Sequence, residues 1–363
     1  MAGRKKKTAG RMPLWLYVLI VVVIALVTYF RTSGEPEGAD PQPPAASAAA
    51  QQTPADETLT VRFLDVGQGD SILLACGDET MLIDGGPVEE GQFLVSRLNR
   101  LDVTELTYVV NTHPDEDHCG GLAAVLAKYP AEHVYSSVTE YTTKVFSNVV
   151  KYADEQGHPV EVPQTGDSWT LGGASVQIIG PVQTYSDPNN GSLVLRVDYS
   201  GTSFLFTGDM EQKAEADLMD SGANVRADVL KVGHHGSPTS SSEAFLEAVV
   251  PSIAVISVGE DNDYGHPSAD VLARLEALGA AIYRTDTQGE IIITSDGQTL
   301  TVTTDPTSRE PAAGKDAPFI GNRNSMIVHS ANCAKLPGED NRVYFNTAEE
   351  AEEYGYQKHT CIK

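Results

Sequence analysis

The sequence predicts an α/β domain in which two β-sheets are enclosed by helices, with one apolar span before it and a small module after it. Three observations predict it. Short strand patterns separated by turn signals open the domain, strand and helix patterns then alternate twice over, and several apolar strands end in carboxylates or imidazoles. At 363 residues the chain exceeds what one hydrophobic core usually spans, so a domain with appendages is expected.

Residues 4–11 are basic, and Met12 to Phe30 then run apolar for 19 residues, interrupted only by Pro13 and Thr28. That length suits a bilayer-spanning helix, with Trp15, Tyr17, Tyr29 and Phe30 near its ends. Positive charge before the span predicts a single-pass cell-membrane protein with a cytoplasmic N-terminus and an extracellular domain. A cleaved signal peptide is the other reading. Its apolar region would be long, and Thr28-Tyr29-Phe30-Arg31 lacks small residues for cleavage. Either reading exports the domain. The Pro-, Ala-, Gln- and Glu-rich stretch over residues 31–56 reads as a tether.

Six bases precede Glu35, leaving 19 against 50 acids beyond residue 31, a balance of about −31. So acidic a surface repels polyanions at long range, which excludes a basic nucleic-acid-binding face. Four cysteines in a chain this large exclude a disulfide scaffold. Cys76 and Cys119 are expected to be buried thiols.

The expected domain covers residues 57–305. Thr58–Leu64, Ser71–Ala75 and Thr80–Ile83 read as strands, joined by turn signals at Gly67-Gln68-Gly69-Asp70 and Asp84-Gly85-Gly86. Gln92–Leu101 has helical spacing, Leu106–Asn111 is a buried strand and Leu122–Lys128 a helix. After a middle region of mixed signal, strands are expected at Ser175–Ile179, Ser192–Tyr199, Ser203–Phe206, Val229–Val232 and Ile253–Val258. Helices are expected near Glu211–Met219, at Ser242–Val249 and at Ala269–Leu278, before two closing strands.

The chemistry concentrates where strands end. His113-Pro114-Asp115-Glu116-Asp117-His118-Cys119-Gly120-Gly121 follows a buried strand and precedes a helix, offering mixed imidazole and carboxylate ligands that suit Zn²⁺, Mn²⁺ or Fe. Read alone, it could also be an acidic loop with Asp117 capping a helix. Phe204-Leu205-Phe206-Thr207-Gly208-Asp209 and Val229-Leu230-Lys231-Val232-Gly233-His234-His235-Gly236-Ser237 repeat the arrangement. Asp84, after Met81-Leu82-Ile83, is placed to orient a ligand rather than bind metal itself.

With these motifs the chain resembles the metallo-β-lactamase superfamily, and within it the ComEC-like competence branch. Phe63-Leu64-Asp65-Val66-Gly67-Gln68-Gly69-Asp70-Ser71, Val232-Gly233-His234-His235-Gly236-Ser237 and Tyr264-Gly265-His266-Pro267-Ser268 look like that branch's motifs, over about residues 58–304. The resemblance implies a four-layer αββα sandwich. It implies one or two ions, with His113 and Asp115 serving one, Asp117 and His118 the other, and Asp209 bridging. Either His234 or His235 would close the second site, with His234 favoured because it leaves the strand first. Asp65, Asp70 and Asp84 would support the ligands from behind. Asp117 would orient a metal-activated water, Ser237 would donate to a phosphate oxygen or cap the following helix, and His266 would protonate a leaving group or serve only as a turn residue. Two departures stand out. The second His of the usual His-x-His-x-Asp-His is Asp115, and Ser186–Ser192 stands where a separate His would precede Asp209. More oxygen donors make Mn²⁺ a rival to Zn²⁺.

Residues 306–318 read as a second linker, and 319–363 resemble the small zinc-binding module of the Ada DNA-repair protein. His329 and Cys333 fit its first ligand pair and His359 its third ligand, while Cys361 comes one residue early, giving His-x-Cys. A Cys₂His₂ zinc is chemically reasonable there, and so small a module needs such a staple. The expected function is a membrane-anchored, extracytoplasmic metal-dependent hydrolase, most simply a phosphodiesterase acting on single-stranded DNA. Hydrolysis of a wall or small-molecule ester and a non-catalytic binding role are the alternatives, and no obligate protein partner is readable.

Overall fold

Period-two alternation decides which way each strand faces. In β1 (Leu59–Phe63), Leu59, Val61 and Phe63 point into a core shared with a second sheet, while Arg62 points the other way to Glu290. The computed structural model describes residues 58–309, 317–322, 325–354 and 356–362. The basic segment, apolar span and tether expected at residues 1–56 lie outside the described residues. Among the described residues no helix is long and apolar enough to cross a membrane.

The first sheet has the order β14-β13-β1-β2-β3-β4-β5, with β2 Ile72–Cys76, β3 Glu79–Ile83, β4 Leu106–Asn111, β5 Ala131–Ser136, β13 Glu290–Ser295 and β14 Leu300–Asp305. The second runs β12-β11-β10-β9-β8-β7-β6, with β6 Ser168–Leu171, β7 Ala174–Gly180, β8 Val194–Tyr199, β9 Thr202–Phe206, β10 Val229–Lys231, β11 Ile253–Ile256 and β12 Ala281–Arg284. Strands β3, β4 and β5 run parallel, as do β9, β10, β11 and β12, and the other neighbours pair antiparallel.

Met81, Ile83, Val110, Phe204, Phe206, Val229 and Val255 fill the space between the sheets. The alternating residues pack outward. Leu82 and Val109 meet helices α1 (Gly91–Arg100), α3 (Leu122–Lys128) and α4 (Lys144–Gln156), and Leu205, Leu230 and Ala254 meet α5 (Gln212–Asp220), α6 (Glu243–Val249) and α7 (Ala269–Ala277). The result is helix, sheet, sheet, helix, with β2, β8, β10 and β11 buried on both faces along nearly their whole length. Cys76 and Cys119 are buried.

The middle region of mixed signal holds β5, α4 and β6. Thr143 caps α4 by accepting from the Phe146 amide at 3.3 Å, and Gly157 ends it at φ 81°. Strand β12 was also not expected. Residues 306–309, read as linker, are instead held against the domain. The Arg309 guanidinium donates to the Asp65 carbonyl at 2.9 Å and to Glu90 at 2.6 Å.

Glu290 opens β13 with a fully buried carboxylate that accepts from Arg62 at 2.9 Å and Arg97 at 2.8 Å, tying β13 to β1 and α1. Truncating one partner of a buried charge cluster leaves the other charges uncompensated. Glu290→Ala is expected to lower unfolding free energy by about 3 kcal/mol in urea titrations, with Glu290→Gln costing less. An unchanged midpoint would refute this role.

Candidate metal centre

The carboxyl ends of β3, β4, β9 and β10 meet at one edge of the sandwich, and each delivers a polar side chain there. After β3, Asp84 (φ 57°) is fully buried. It accepts from the Thr112 amide and hydroxyl at 2.7 Å each, from Asn111 Nδ2 at 3.1 Å, and stands 2.9 Å from His118 Nδ1. That last contact aims His118 Nε2 into the cavity. After β4, a short helix α2 (Glu116–Cys119) presents Asp117 and His118. Gly69 permits this approach, because a Cβ there would lie 2.3 Å from the Asp117 carbonyl oxygen.

Asp117, His118, Asp209 and His235 place one donor atom each within 4.8 Å of one another. His118 Nε2 lies 3.2 Å from Asp209 Oδ1, and His235 Nε2 lies 3.2 Å from Asp117 Oδ2 and 3.5 Å from Asp209 Oδ2. His113 is buried beside them, its ring 4.1 Å from that of His118 and its Nε2 3.8 Å from the half-exposed Asp115. His113 Nδ1 meets the Thr112 hydroxyl at 3.1 Å and Ser192 at 3.4 Å.

His235, not the favoured His234, enters this cluster. Both adopt left-handed backbone (φ 51° and 49°), and this double turn carries the second ring inward while the first stays half-buried between Glu211 at 3.5 Å and the outer side of Asp209 at 3.7 Å. Order along the chain does not fix which ring points in; the backbone does. Asp65 is the second correction. Its carboxylate caps the Gly67 amide at 3.2 Å and pairs with Arg309 at 3.6 Å rather than with a ligand. Asp70 is the carboxylate that stands behind a ligand, 3.3 Å from His235 Nδ1, which also meets the Ser257 carbonyl at 2.9 Å. Lys231, which ends β10 with its side chain fully buried, holds Asp70 at 2.7 Å. Sequence reading passed over Lys231, although a lysine in an otherwise apolar strand was a usable signal.

Ser237 is buried, bonds the Thr239 hydroxyl at 2.9 Å, and does not cap the next helix. Ser242 does that, accepting from the Phe245 amide at 3.3 Å. His266 stacks on Tyr264 and meets His234 edge-on, ring centres 5.7 Å apart in each case, so it stands at the outer wall of the site.

The electrostatics are those of a site short of positive charge. Burial opposes charge on His118 and His235, yet Asp209 leads the carboxylates that raise His118 well above its ordinary range and carry His235 up to about 10. Burial alone would raise Asp209, but His118 and His235 hold it well below the carboxylate range. His113, by contrast, is pushed down to about 3 by burial and by His118, so it stays a neutral donor. Burial raises Asp84. His113 Nε2, His118 Nε2 and Asp209 Oδ1 are buried without a well-formed hydrogen bond, the last two facing each other at 3.2 Å. Buried polar atoms without partners are costly, and three converging on one cavity fit a divalent cation.

A second cluster lies in the tail. Its sheet has the order β17-β15-β16-β18 (β15 Phe319–Asn322, β16 Ile327–Ser330, β17 Arg342–Phe345, β18 Gln357–Lys358), with helix α8 (Ala348–Glu353) capped by Thr347 and Glu350. Parallel pairing of β16 with β18 sets His329 beside His359, ring centres 4.3 Å apart. Cys333 Sγ lies 3.4 Å from His329 Nδ1 and 3.7 Å from His359 Nδ1, and Cys361 completes four donors within 4.8 Å.

Removing the His235 imidazole is expected to weaken divalent-metal affinity at the main site by about 10- to 100-fold, whereas His234→Ala changes it by less than about threefold; competition with a fluorescent chelator reads both. Asp84→Ala, which frees His118 to rotate, is expected to fall with His235→Ala. Equal losses in the His234 and His235 variants would overturn the assignment.

The family model described as the metallo-beta-lactamase superfamily matches residues 64–260. Among curated proteins, ComE operon protein 3 of Bacillus subtilis (strain 168) is 31% identical over 64% of this chain and 32% of its own length. Competence protein ComA of Neisseria gonorrhoeae is 36% identical over 65% of this chain and 32% of its own. The chain thus spans about a third of the length of these relatives. Among solved structures, the metallo-beta-lactamase fold protein YhfI from Bacillus subtilis matches with a TM-score of 0.43 at 11% identity, over 68% of this chain and 100% of that one.

Proposed function

This chain belongs to the metallo-β-lactamase superfamily as a metal-dependent hydrolase of that fold, and from that premise we propose that it is a phosphodiesterase acting on single-stranded nucleic acid outside the cell membrane. The observation that carries the proposal is the convergence of Asp117, His118, Asp209 and His235 at the carboxyl edge of both sheets, with the buried Nε2 atoms of His113 and His118 left without a well-formed hydrogen bond. Relatives named for competence favour a nucleic-acid substrate, and the apolar stretch at Met12–Phe30 favours a membrane tether.

Asp117, His118, Asp209 and His235 would hold one divalent ion, Zn²⁺ or Mn²⁺, and His113 with Asp115 lies where a second would bind. Such an ion supplies Lewis acidity toward a phosphoryl oxygen and acidifies water, lowering its pKa from ~15.7 to about 7. Asp84, facing His118 Nδ1 at 2.9 Å, fixes the ring so that Nε2 is the atom turned toward the ion. Asp70 and the Ser257 carbonyl do the same for His235. The partly exposed Asp117 carboxylate orients the attacking water, and His266 at the outer wall passes a proton to the leaving oxygen.

The net charge of −25 favours a second reading, hydrolysis of a small ester carrying few negative charges. In the tail, His329, Cys333, His359 and Cys361 would hold a structural zinc, since a core of Val328, Phe345, Ala351 and Tyr356 is small for a free-standing unit.

Purified chain loaded with Mn²⁺ or Zn²⁺ is expected to degrade single-stranded DNA, with Asp209→Ala lowering the rate by at least about 100-fold, the scale of losing a catalytic charge-stabilising group. Cleavage of a small phosphodiester without DNA degradation would transfer support to the small-ester reading. Elemental analysis of Cys333→Ser is expected to find one zinc fewer per chain than the native protein. An unchanged zinc content would exclude a tail zinc.

A further inference from the structure

An elongated groove of about 520 Å³ runs beside the metal centre, between the segment after β5 and the segment after β7. It adjoins the centre through residues next to it in the chain. Pro114 lines it and follows His113, while Gly191 lines it and precedes Ser192, whose hydroxyl reaches His113. Its volume suits a small-molecule site, and no residue of the centre itself forms its walls.

The lining has an unusual charge. Its walls contain no lysine or arginine, and their one acidic side chain is Asp187. A groove that tracked a phosphate backbone would carry cations along its length. This one instead presents Tyr141 and Tyr185 with neutral hydrogen-bonding groups such as Ser137 and Gln164. Both rings are braced. Tyr185 donates its hydroxyl to Asp217 at 2.8 Å and has the Lys213 ammonium 5.9 Å from its ring centre, and Tyr141 is met edge-on by Phe146 with ring centres 6.4 Å apart. Rigid rings bind flat aromatic ligands at low entropic cost.

From this we infer that the groove is a nucleoside subsite, in which Tyr141 and Tyr185 stack a base while the adjoining phosphate lies at the metal centre. The inference rests on the phosphodiesterase reading and deepens it. The uncharged base and sugar enter the groove, and Asp187 turns the flanking phosphate away from it. The division of labour accounts for an acidic protein that takes a nucleic acid. Affinity comes from stacking, which tolerates any base sequence and depends weakly on salt, and the backbone is gripped at one phosphate only.

The test is binding without turnover. Thymidine, which carries no phosphate, is titrated into the full chain by saturation-transfer NMR, alongside deoxyribose, and repeated with Tyr141→Ala, Tyr185→Ala and Tyr141→Phe. The expected result is that thymidine binds and deoxyribose does not, that each alanine variant weakens thymidine by about tenfold, and that Tyr141→Phe retains it. For a dinucleotide substrate, Tyr141→Ala is expected to raise KM about tenfold with a smaller change in kcat. Thymidine binding no better than deoxyribose, or binding indifferent to both tyrosines, would overturn the subsite. Because the titration needs no catalysis, an inactive enzyme that still binds thymidine through Tyr141 would refute the phosphodiesterase reading and leave the subsite standing.

Discussion

Asp84 is held at φ 57° at the end of β3 by bonds from Asn111, Thr112 and His118, and the rest of the site is built outward from it. Its carboxylate locks the end of β3 to the end of β4, so the loop carrying His113 to His118 has one path across the sheet edge. The left-handed backbone of a non-glycine residue is a strained state that survives only where surroundings fix it. Four hydrogen bonds into one buried carboxylate supply that constraint, and in return His118 is fixed in rotation and tautomer. Lys231 and Asp70 do similar work behind His235, from the second sheet.

Both sheets therefore contribute to the site. The first supplies His113, Asp117 and His118, and the second supplies Asp209 and His235. Because the central core of phenylalanines, valines and leucines is fully buried, the sheets cannot slide, and distances across the cleft are set by core packing rather than by loop flexibility. Desolvation then makes the cluster expensive without a cation. Its carboxylates pull protons onto His118 and His235, the charge a bound ion would otherwise carry.

Much of this was legible in the chain because burial on both faces leaves near-continuous apolar strands, and polar residues after such strands are conspicuous. Leu106–Asn111 and Leu122–Lys128 have the same limits in sequence reading and structure. The α4 region was not legible. Only Phe146, Val149 and Ala153 of its thirteen residues are buried, so its apolar stripe is thin, and β5 before it mixes buried with exposed positions. The choice between His234 and His235 depends on two consecutive left-handed residues, a backbone property that side-chain order does not encode. Asp65 and Asp70 sit in one motif, yet one caps a turn and the other backs a ligand, a distinction set by Arg309 and Lys231 arriving from far along the chain.

The acidic surface and the candidate substrate class are compatible only if charge recognition is local. One compact oxygen- and nitrogen-donor cluster must then bind the ion. The most direct measurement is anomalous diffraction from crystals grown with Mn²⁺ or Zn²⁺. An anomalous peak is expected in contact with His118 Nε2, His235 Nε2, Asp209 and Asp117. A peak bound by His234 with His235 turned away, or no peak at this edge of the sandwich, would contradict it.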